Sequence, residues 1–238
     1  MHGSALKGAA TSALPVVPSA WIEVPQFDWG ALICNGARRV QFEKNQTVFT
    51  QGDRVDHVYV LAQGRVRLVL LSAAGHEKHM AIVGTQGMVG ECSAFLDGRH
   101  SVTAIASAPV VAWQVERKRL LDCMQSDPLC LRQVLWLIST KMRILANQNL
   151  LLSQATATQR VICNLVQLAE TYGDAVPDGL SIRIGFTHQE LANIAGLSRV
   201  MTTNVLAQLH VEGLVEKTGA RCVIRDLETL RRRSMGAV

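Results

Sequence analysis

The stretch Thr187-His188-Gln189-Glu190-Leu191-Ala192-Asn193-Ile194-Ala195-Gly196-Leu197-Ser198-Arg199 decides the fold. Thr187 followed by Glu190 is a capping box, in which each side chain satisfies the other residue's backbone N–H at a helix start. Leu191, Ile194 and Ala195 then give one apolar face, and Ala192 is small where two helices would cross. Gly196 permits the turn that ends this helix. Ser198 caps a second helix running to about Glu212, with Met201, Val205, Leu206 and Leu209 as its expected buried face. Helix, tight turn and helix is the arrangement of a DNA-binding helix-turn-helix. Alone, it also suits an ordinary helical hairpin. Gly213 to Lys217 and Cys222 to Ile224, joined through Thr218-Gly219-Ala220-Arg221, follow it as a two-stranded wing.

The second helix must present long, small or polar side chains to base edges. Arg199, Thr203 and Asn204 meet that need, because Arg pairs bidentately with guanine and Asn with adenine. Thr187, His188, Ser198, Thr202 and Lys217 are expected on phosphates, with Gln189 and Val200 on the same surface.

Upstream, Leu131, Leu135, Ile138, Met142, Leu145, Asn149 and Leu152 are spaced 4, 3, 4, 3, 4, 3. That is a heptad seam, which favours a partner helix over packing on the chain's own core. The same helix of a second subunit is the simplest partner. Asn149 in the seam would pair with its symmetry mate and fix a parallel register. Asp127 is the expected N-cap and Pro128 the first turn. Ser153 to Thr158 is small and polar and reads as a hinge before a helix from Arg160 to Tyr172. Gly173, Pro177 and Gly179 end that helix, and Leu180 to Phe186 alternates like a strand.

Between Val40 and about Val115 short apolar runs alternate with turns such as Gln51-Gly52-Asp53, Gln63-Gly64, Ala74-Gly75, Gln86-Gly87 and Asp97-Gly98. Regular short strands with glycine punctuation indicate a β-barrel or sandwich. Arg65 and Arg67 alternate with Val66 and Leu68, which puts them on a wet face. The fold class is therefore α+β: an antiparallel β-roll, a long dimerisation helix and a winged helix-turn-helix. The expected divisions are a disordered lead-in over 1–24, a β-roll sensor domain over 25–127, a helix over 128–152 and a DNA-binding domain over 153–238.

Composition bounds the rest. The chain has 238 residues, 48% hydrophobic and 18% charged, with 24 Lys/Arg against 19 Asp/Glu. That apolar share builds real cores. No run approaches the ~18 apolar residues of a membrane helix. No secretory signal precedes the six scattered cysteines, so cytoplasmic, reduced thiols are expected. The excess of five cations permits nucleic acid but does not locate it, since residues 153–238 hold nine Lys/Arg against eight Asp/Glu. Arg231-Arg232-Arg233 is the one cationic run there and reads as a solvated end. Neither a metal cluster, a nucleophile–base pair nor a P-loop is apparent, which argues against an enzyme.

From about Pro25 onward the chain resembles the CRP/FNR family of bacterial transcription regulators. Three stretches carry the resemblance: Gln51-Gly52-Asp53 with Tyr59 to Val66; Val89-Gly90-Glu91 with Arg99-His100-Ser101; and Gln189-Glu190-Leu191-Ala192 with Gly196-Leu197-Ser198-Arg199. The resemblance implies a homodimer controlled by an effector or redox state in a cyclic-nucleotide-binding-like roll. It also implies an inverted-repeat DNA operator and RNA polymerase as partners. The rival reading is a cyclic-nucleotide module acting on a protein partner, which would leave the winged helix idle.

In cyclic-AMP-binding members a Gly-Glu and a later Arg-Ser form the phosphate cassette. Gly90, Glu91 and Ser101 match it, but His100 fills the arginine position, and Arg99 one place earlier points to the opposite face of an extended segment. The family's adenine contact falls on Leu145-Ala146. Both departures argue against cyclic AMP. Gly90-Glu91 also reads as a turn whose carboxylate takes nearby backbone N–H groups. Cys34 is the lone cysteine near the start, which argues against a four-cysteine iron–sulfur cluster. A haem on His57, His76, His79 or Cys92 stays open, although His76 and His79 beside Glu77-Lys78 read as a solvated hairpin. Cys123 and Cys130 are either a redox pair or core thiols. The effector is therefore left unassigned. Family members carry Glu directly after the Ser-Arg and Arg four residues later, where this chain has Val200 and Asn204, so its half-site is expected to differ.

Overall fold

A computed structural model describes residues 18–24, 26–34, 36–72, 77–96 and 98–235. The Ala74-Gly75 turn, His76 and Asp97 lie outside those residues.

The roll contains β1 (Trp21–Ile22), α1 (Gly30–Ile33), β2 (Arg38–Phe42), β3 (Thr47–Phe49), β4 (His57–Gln63), β5 (Val66–Leu71), β6 (Glu77–Val83), β7 (Met88–Val89), α2 (Glu91–Ala94), β8 (Thr103–Ala106) and β9 (Val110–Glu116). One sheet has the order β1-β6-β5-β8-β3 and the other β2-β9-β4-β7. Val58, Val60, Val66, Val83, Ala104 and Ala112 fill the space between them. All pairings are antiparallel except β1 with β6, where Trp21 and Ile22 lie opposite Ile82 and Val83.

That strand corrects the expected lead-in at 18–24; its residues 1–17 lie outside the described residues. Ser19 to Ile22 are buried, and Trp21 is 1% exposed. Pro18 and Pro25 bracket too few residues to display a period, so the strand leaves no pattern in the sequence.

Helix α3 (Arg117–Ser126) leads into α4 (Pro128–Gln154). Asp127 caps α4, its side chain accepting from Leu129 N at 2.9 Å, and Pro128 occupies the first turn. At 27 residues α4 is about 40 Å long. It carries two stripes. Cys130, Val134, Leu137 and Ile144 are buried on the chain's own roll, with Gln133 exchanging two hydrogen bonds with the backbone of Asp28. The second stripe is the heptad seam, largely uncovered in the protomer: Leu135 is 51% exposed and Met142 63%.

The expected hinge over 153–158 is shorter than its composition suggests. Helix α4 continues to Gln154, Ala155 ends it, and Thr156 forms a capping box with Gln159 to begin α5 (Ala157–Tyr172). Next come β10 (Gly173–Val176), β11 (Gly179–Ile182), α6 (His188–Ala195), α7 (Arg199–Val211), β12 (Val215–Thr218), β13 (Arg221–Ile224) and α8 (Leu227–Met235). The C-terminal sheet has the order β10-β11-β13-β12. Pro177 and Gly179 thus sit in a hairpin, and the expected strand over 180–186 stops at Ile182. Ile184 and Phe186 are nonetheless buried beyond it. Among the described residues no helix is long and apolar enough to cross a membrane.

Candidate nucleic-acid interface and effector cavity

Local chemistry builds the helix-turn-helix. Thr187 Oγ1 accepts from Glu190 N at 3.1 Å, and Glu190 Oε2 accepts from Thr187 N at 2.8 Å. Gly196 ends α6 at φ +66°, a left-handed turn that a side chain would strain. Ser198 Oγ accepts from Met201 N at 3.2 Å and starts α7.

Thr202, Val205, Leu206 and Leu209 form the buried stripe of α7. Two expectations change as a result. Met201 is exposed, because it sits one helical step before that stripe. Thr202 is fully buried, its Oγ1 has no hydrogen-bond partner, and it cannot reach a phosphate from there. Arg199, Asn204 and Val200 (70% exposed) project outward, with Thr203 half-buried beside them. His188 Nδ1 lies 3.0 Å from Thr203 Oγ1, joining the first helix to the second. Burial lowers the His188 pKa, helped by the Lys217 and Arg199 charges. Lys217 sits 4.5 Å over the Phe186 ring and donates to Gly219 O. Its own pKa is lowered by burial.

Helix α6 rests against the roll. Lys78 Nζ donates to the carbonyls of Ile194 and Asn193, near the negative end of the helix. Burial, then the Arg160 charge, brings the Lys78 pKa down to about 8. Asn193 Nδ2 lies 2.9 Å from His79 Nε2. His79 is buried, not on a solvated hairpin, and burial lowers its pKa against the pull of Glu77. Arg65 Nη1 donates to Gly185 O at 2.8 Å, so its face is a domain contact rather than simply wet. Trp21 packs on Phe186 with ring centroids 5.7 Å apart, and the Tyr172 hydroxyl donates to Trp21 O at 2.5 Å. Thr187 and Gln189 line a crevice of about 330 Å³ whose opposite wall includes Lys44, Asn45 and Arg67.

A second site lies between the roll and α4. Gly90 has φ +96°, and a Cβ there would come within 3.3 Å of His57 O and 3.4 Å of His100 Cε1. Glu91 follows, 0% exposed. Its carboxylate meets no backbone N–H, contrary to the turn reading: Lys141 Nζ lies 2.5 Å from Oε1 and also donates to Met88 O. Burial works to lower the Lys141 pKa, but the Glu91 carboxylate and Cys92 outweigh it and leave it raised. Sequence reasoning missed Lys141. Its signal is a cation within the inward stripe of α4, four residues after Leu137 and three before Ile144.

His100 is buried and stacks on Phe49, with centroids 3.7 Å apart and planes within 10°. Burial lowers its pKa against Asp53 and Asp56, which favours the neutral ring. Ser101 N donates to Ser93 Oγ at 3.1 Å. Arg99 instead turns to Gly52 O at 2.8 Å and lies outside the cavity, which corrects its place in the effector set. The cavity measures about 250 Å³. Phe49, Leu68 and Met80 wall it on the roll side, and Ile138, Met142 and Leu145 on the helix side.

These residues do not fit a cyclic nucleotide. A neutral imidazole occupies the place of the phosphate-binding cation, and the one lysine is already paired. For haem, burial and the Glu91 charge push the Cys92 thiol up to about 12, so it stays protonated. His79 faces the DNA-binding half rather than this cavity. Cys130, with Cys123 beside it, is pushed up to about 12 by burial and by that neighbouring thiol, a setting for inert core thiols.

The chain matches the cyclic nucleotide-binding domain over residues 39–127 and the Crp-like helix-turn-helix domain over residues 159–233. It is 28% identical over 195 residues to a CRP-like cAMP-activated global transcriptional regulator of Mycobacterium tuberculosis, covering 82% of this chain and 87% of that one. It is also 28% identical over 199 residues to the cyclic AMP receptor protein of Thermus thermophilus, covering 84% and 89%. The solved structure of FixK2 from Bradyrhizobium japonicum shares the fold at TM-score 0.71 and 21% identity, covering 83% and 96%. A CooA mutant from Carboxydothermus hydrogenoformans does so at TM-score 0.75 and 19% identity, covering 83% and 88%.

Proposed function

Since the chain belongs to the CRP/FNR family of bacterial transcription regulators, we propose that it acts as a homodimer on an inverted-repeat operator, under the control of an effector held in its roll. The uncovered seam of α4 carries the dimer reading. One stripe of the helix is consumed by its own roll, and the other, Leu131 to Leu152, leaves Leu131, Leu135, Met142, Leu145 and Leu152 exposed in the protomer, with Ile138 partly buried. A second copy supplies the matching stripe, and Asn149 sets its register.

In this reading Arg199, Val200 and Asn204 face base edges. Thr187, His188, Gln189, Ser198, Thr203 and Lys217 hold phosphates and position the helix. Val200 offers only apolar contact, for example to a thymine methyl. The working divisions are a roll through Asp127, a dimerisation helix through Gln154 and a DNA-binding domain from Ala155. RNA polymerase is the downstream partner, and the cytoplasm the place of action. The contacts of Lys78 and His79 hold α6 on the roll and Arg65 holds the segment before it at Gly185, so an effector that shifts α4 against the roll would reposition the recognition helices.

The test is DNA selection followed by titration of the full chain across salt. The expected footprint spans two half-sites about 34 Å apart. A dimer neutralising six to ten phosphates should lose roughly 10³–10⁵ in affinity between 50 and 200 mM salt. A single half-site footprint, or binding indifferent to salt, would overturn the reading.

A further inference from the structure

We propose that His188 takes up a proton as DNA docks and thereby releases the hydroxyl hydrogen of Thr203 for a phosphate. This deepens the operator reading above and rests on it. His188 is the first residue of α6, and Thr203 lies in the second turn of α7. The ring Nδ1 sits 3.0 Å from Thr203 Oγ1. Two charges act on that ring, Arg199 on α7 and Lys217 on β12. Three basic side chains, one from each of three elements, thus converge on the face proposed to meet DNA.

The direction of the hydrogen bond decides what Thr203 can do. A phosphate oxygen accepts, so Thr203 must donate to hold one. In a neutral imidazole one nitrogen accepts and the other donates. When Nδ1 is the acceptor it takes the Thr203 hydrogen, and the hydroxyl has nothing left to donate. In the protonated ring both nitrogens donate. Nδ1–H then points at Oγ1, the hydroxyl hydrogen is free for a phosphate, and Nε2–H is a second donor. The proton comes from the buffer.

Electrostatics supplies the drive. In the free chain burial opposes the charged ring, and the Lys217 and Arg199 charges add to that opposition, so the His188 pKa is lowered. The start of a helix disfavours a cation as well. Duplex DNA brings one negative charge per about 1.7 Å of its axis. An anion beside the ring favours its charged form, and an anion is also what a helix start prefers. The ring therefore holds its proton more tightly in the complex than in the free chain. DNA affinity must rise as pH falls through the value in the complex, and level off below the value in the free chain.

The test is an anisotropy titration of the full chain with a duplex carrying its selected operator, at one salt concentration and at about pH 8 and about pH 6, on either side of the ordinary histidine range. A rise of about one pKa unit in each of two subunits tightens binding by up to about a hundredfold, and at least about tenfold is expected. His188→Asn, which does not titrate in this range, should cut the change to about threefold or less. Thr203→Val should keep the pH response but bind at least about fivefold more weakly at the lower pH, through the lost hydrogen bond. If His188→Asn fails to fold, calorimetry of the native chain in two buffers of different ionisation heat decides. Net proton uptake on binding is expected there, and none, or net release, overturns the proposal. Equal affinity of the native chain at both pH values, an undiminished response in His188→Asn, or a Thr203→Val chain as tight as the native one at the lower pH would each overturn it too. DNA binding without a pH response removes only this inference. No DNA binding at either pH removes the operator reading, and this inference with it.

Discussion

The roll with its helix and the winged helix bury different things. Behind the roll lie Glu91, His79, His100, Gln133 and Gln148, all largely removed from water. The interior of the winged helix is apolar apart from Asn164 and Thr202. Each buried polar group needs a partner, and partners can be exchanged. The first half therefore holds its shape through contacts that a small molecule could replace. The second holds its shape through packing and keeps its polar residues outside, where DNA would meet them.

The largest expected effect breaks the first half of that contrast. Lys141→Met alone leaves the Glu91 carboxylate buried and unpaired, and should cost about 3–5 kcal/mol in urea unfolding. Adding Glu91→Leu should recover most of the loss. If the single variant is as stable as the native chain, the ion pair is not a structural element of the roll.

The seam between the halves comes next. Asn149→Leu should stabilise the dimer by about 3–6 kcal/mol, the value of burying one leucine from each subunit, while loosening its register or oligomeric state. Unchanged sedimentation and stability would remove Asn149 from the interface.

Within the winged helix, effects should be smaller and local. Thr187→Ala and Ser198→Ala should each cost about 1 kcal/mol through lost caps. Thr202→Val should gain about 1 kcal/mol, because it removes a buried hydroxyl without a partner. It should also leave DNA affinity unchanged. A loss of affinity in an anisotropy titration would return Thr202 to the DNA face.

The smallest effect concerns acid. His79 and His100 have folded pKa values below the ordinary 6.5, mainly from burial. The unfolded chain therefore takes up protons first, and stability present above about pH 6.5 is lost as pH falls. His100→Phe should flatten that slope in unfolding measured at stepwise pH. An unaltered slope would mean that His100 is already exposed to solvent.

The same contrast explains what could be read from the sequence. Thr187 and Glu190, Gly196 and Ser198 act within a few residues of one another, so their roles are visible locally. Glu91 and Lys141 are 50 residues apart, and only the packing of α4 on the roll joins them. His79 looks like part of a polar turn until Asn193, 114 residues later, covers it. Strand β10 was hidden because Gly173-Asp174-Ala175-Val176 carries little strand preference of its own; its pairing with β11 supplies the order. In α7 Met201 and Thr202 lie one step apart at the edge of the apolar stripe, and the contacts of the whole domain, not the local pattern, turn Thr202 inward.

Strand β1 has a consequence for how the chain is made. Trp21 can pair with β6 once residue 83 has left the ribosome, but its ring is covered by Phe186 and its carbonyl by Tyr172, 151 residues downstream. An early-made segment must therefore wait, partly exposed on the ribosome, for the DNA-binding half to emerge. Truncated nascent chains lacking that half should bury Trp21 incompletely and be nicked by protease beside it, whereas the finished chain closes over β1.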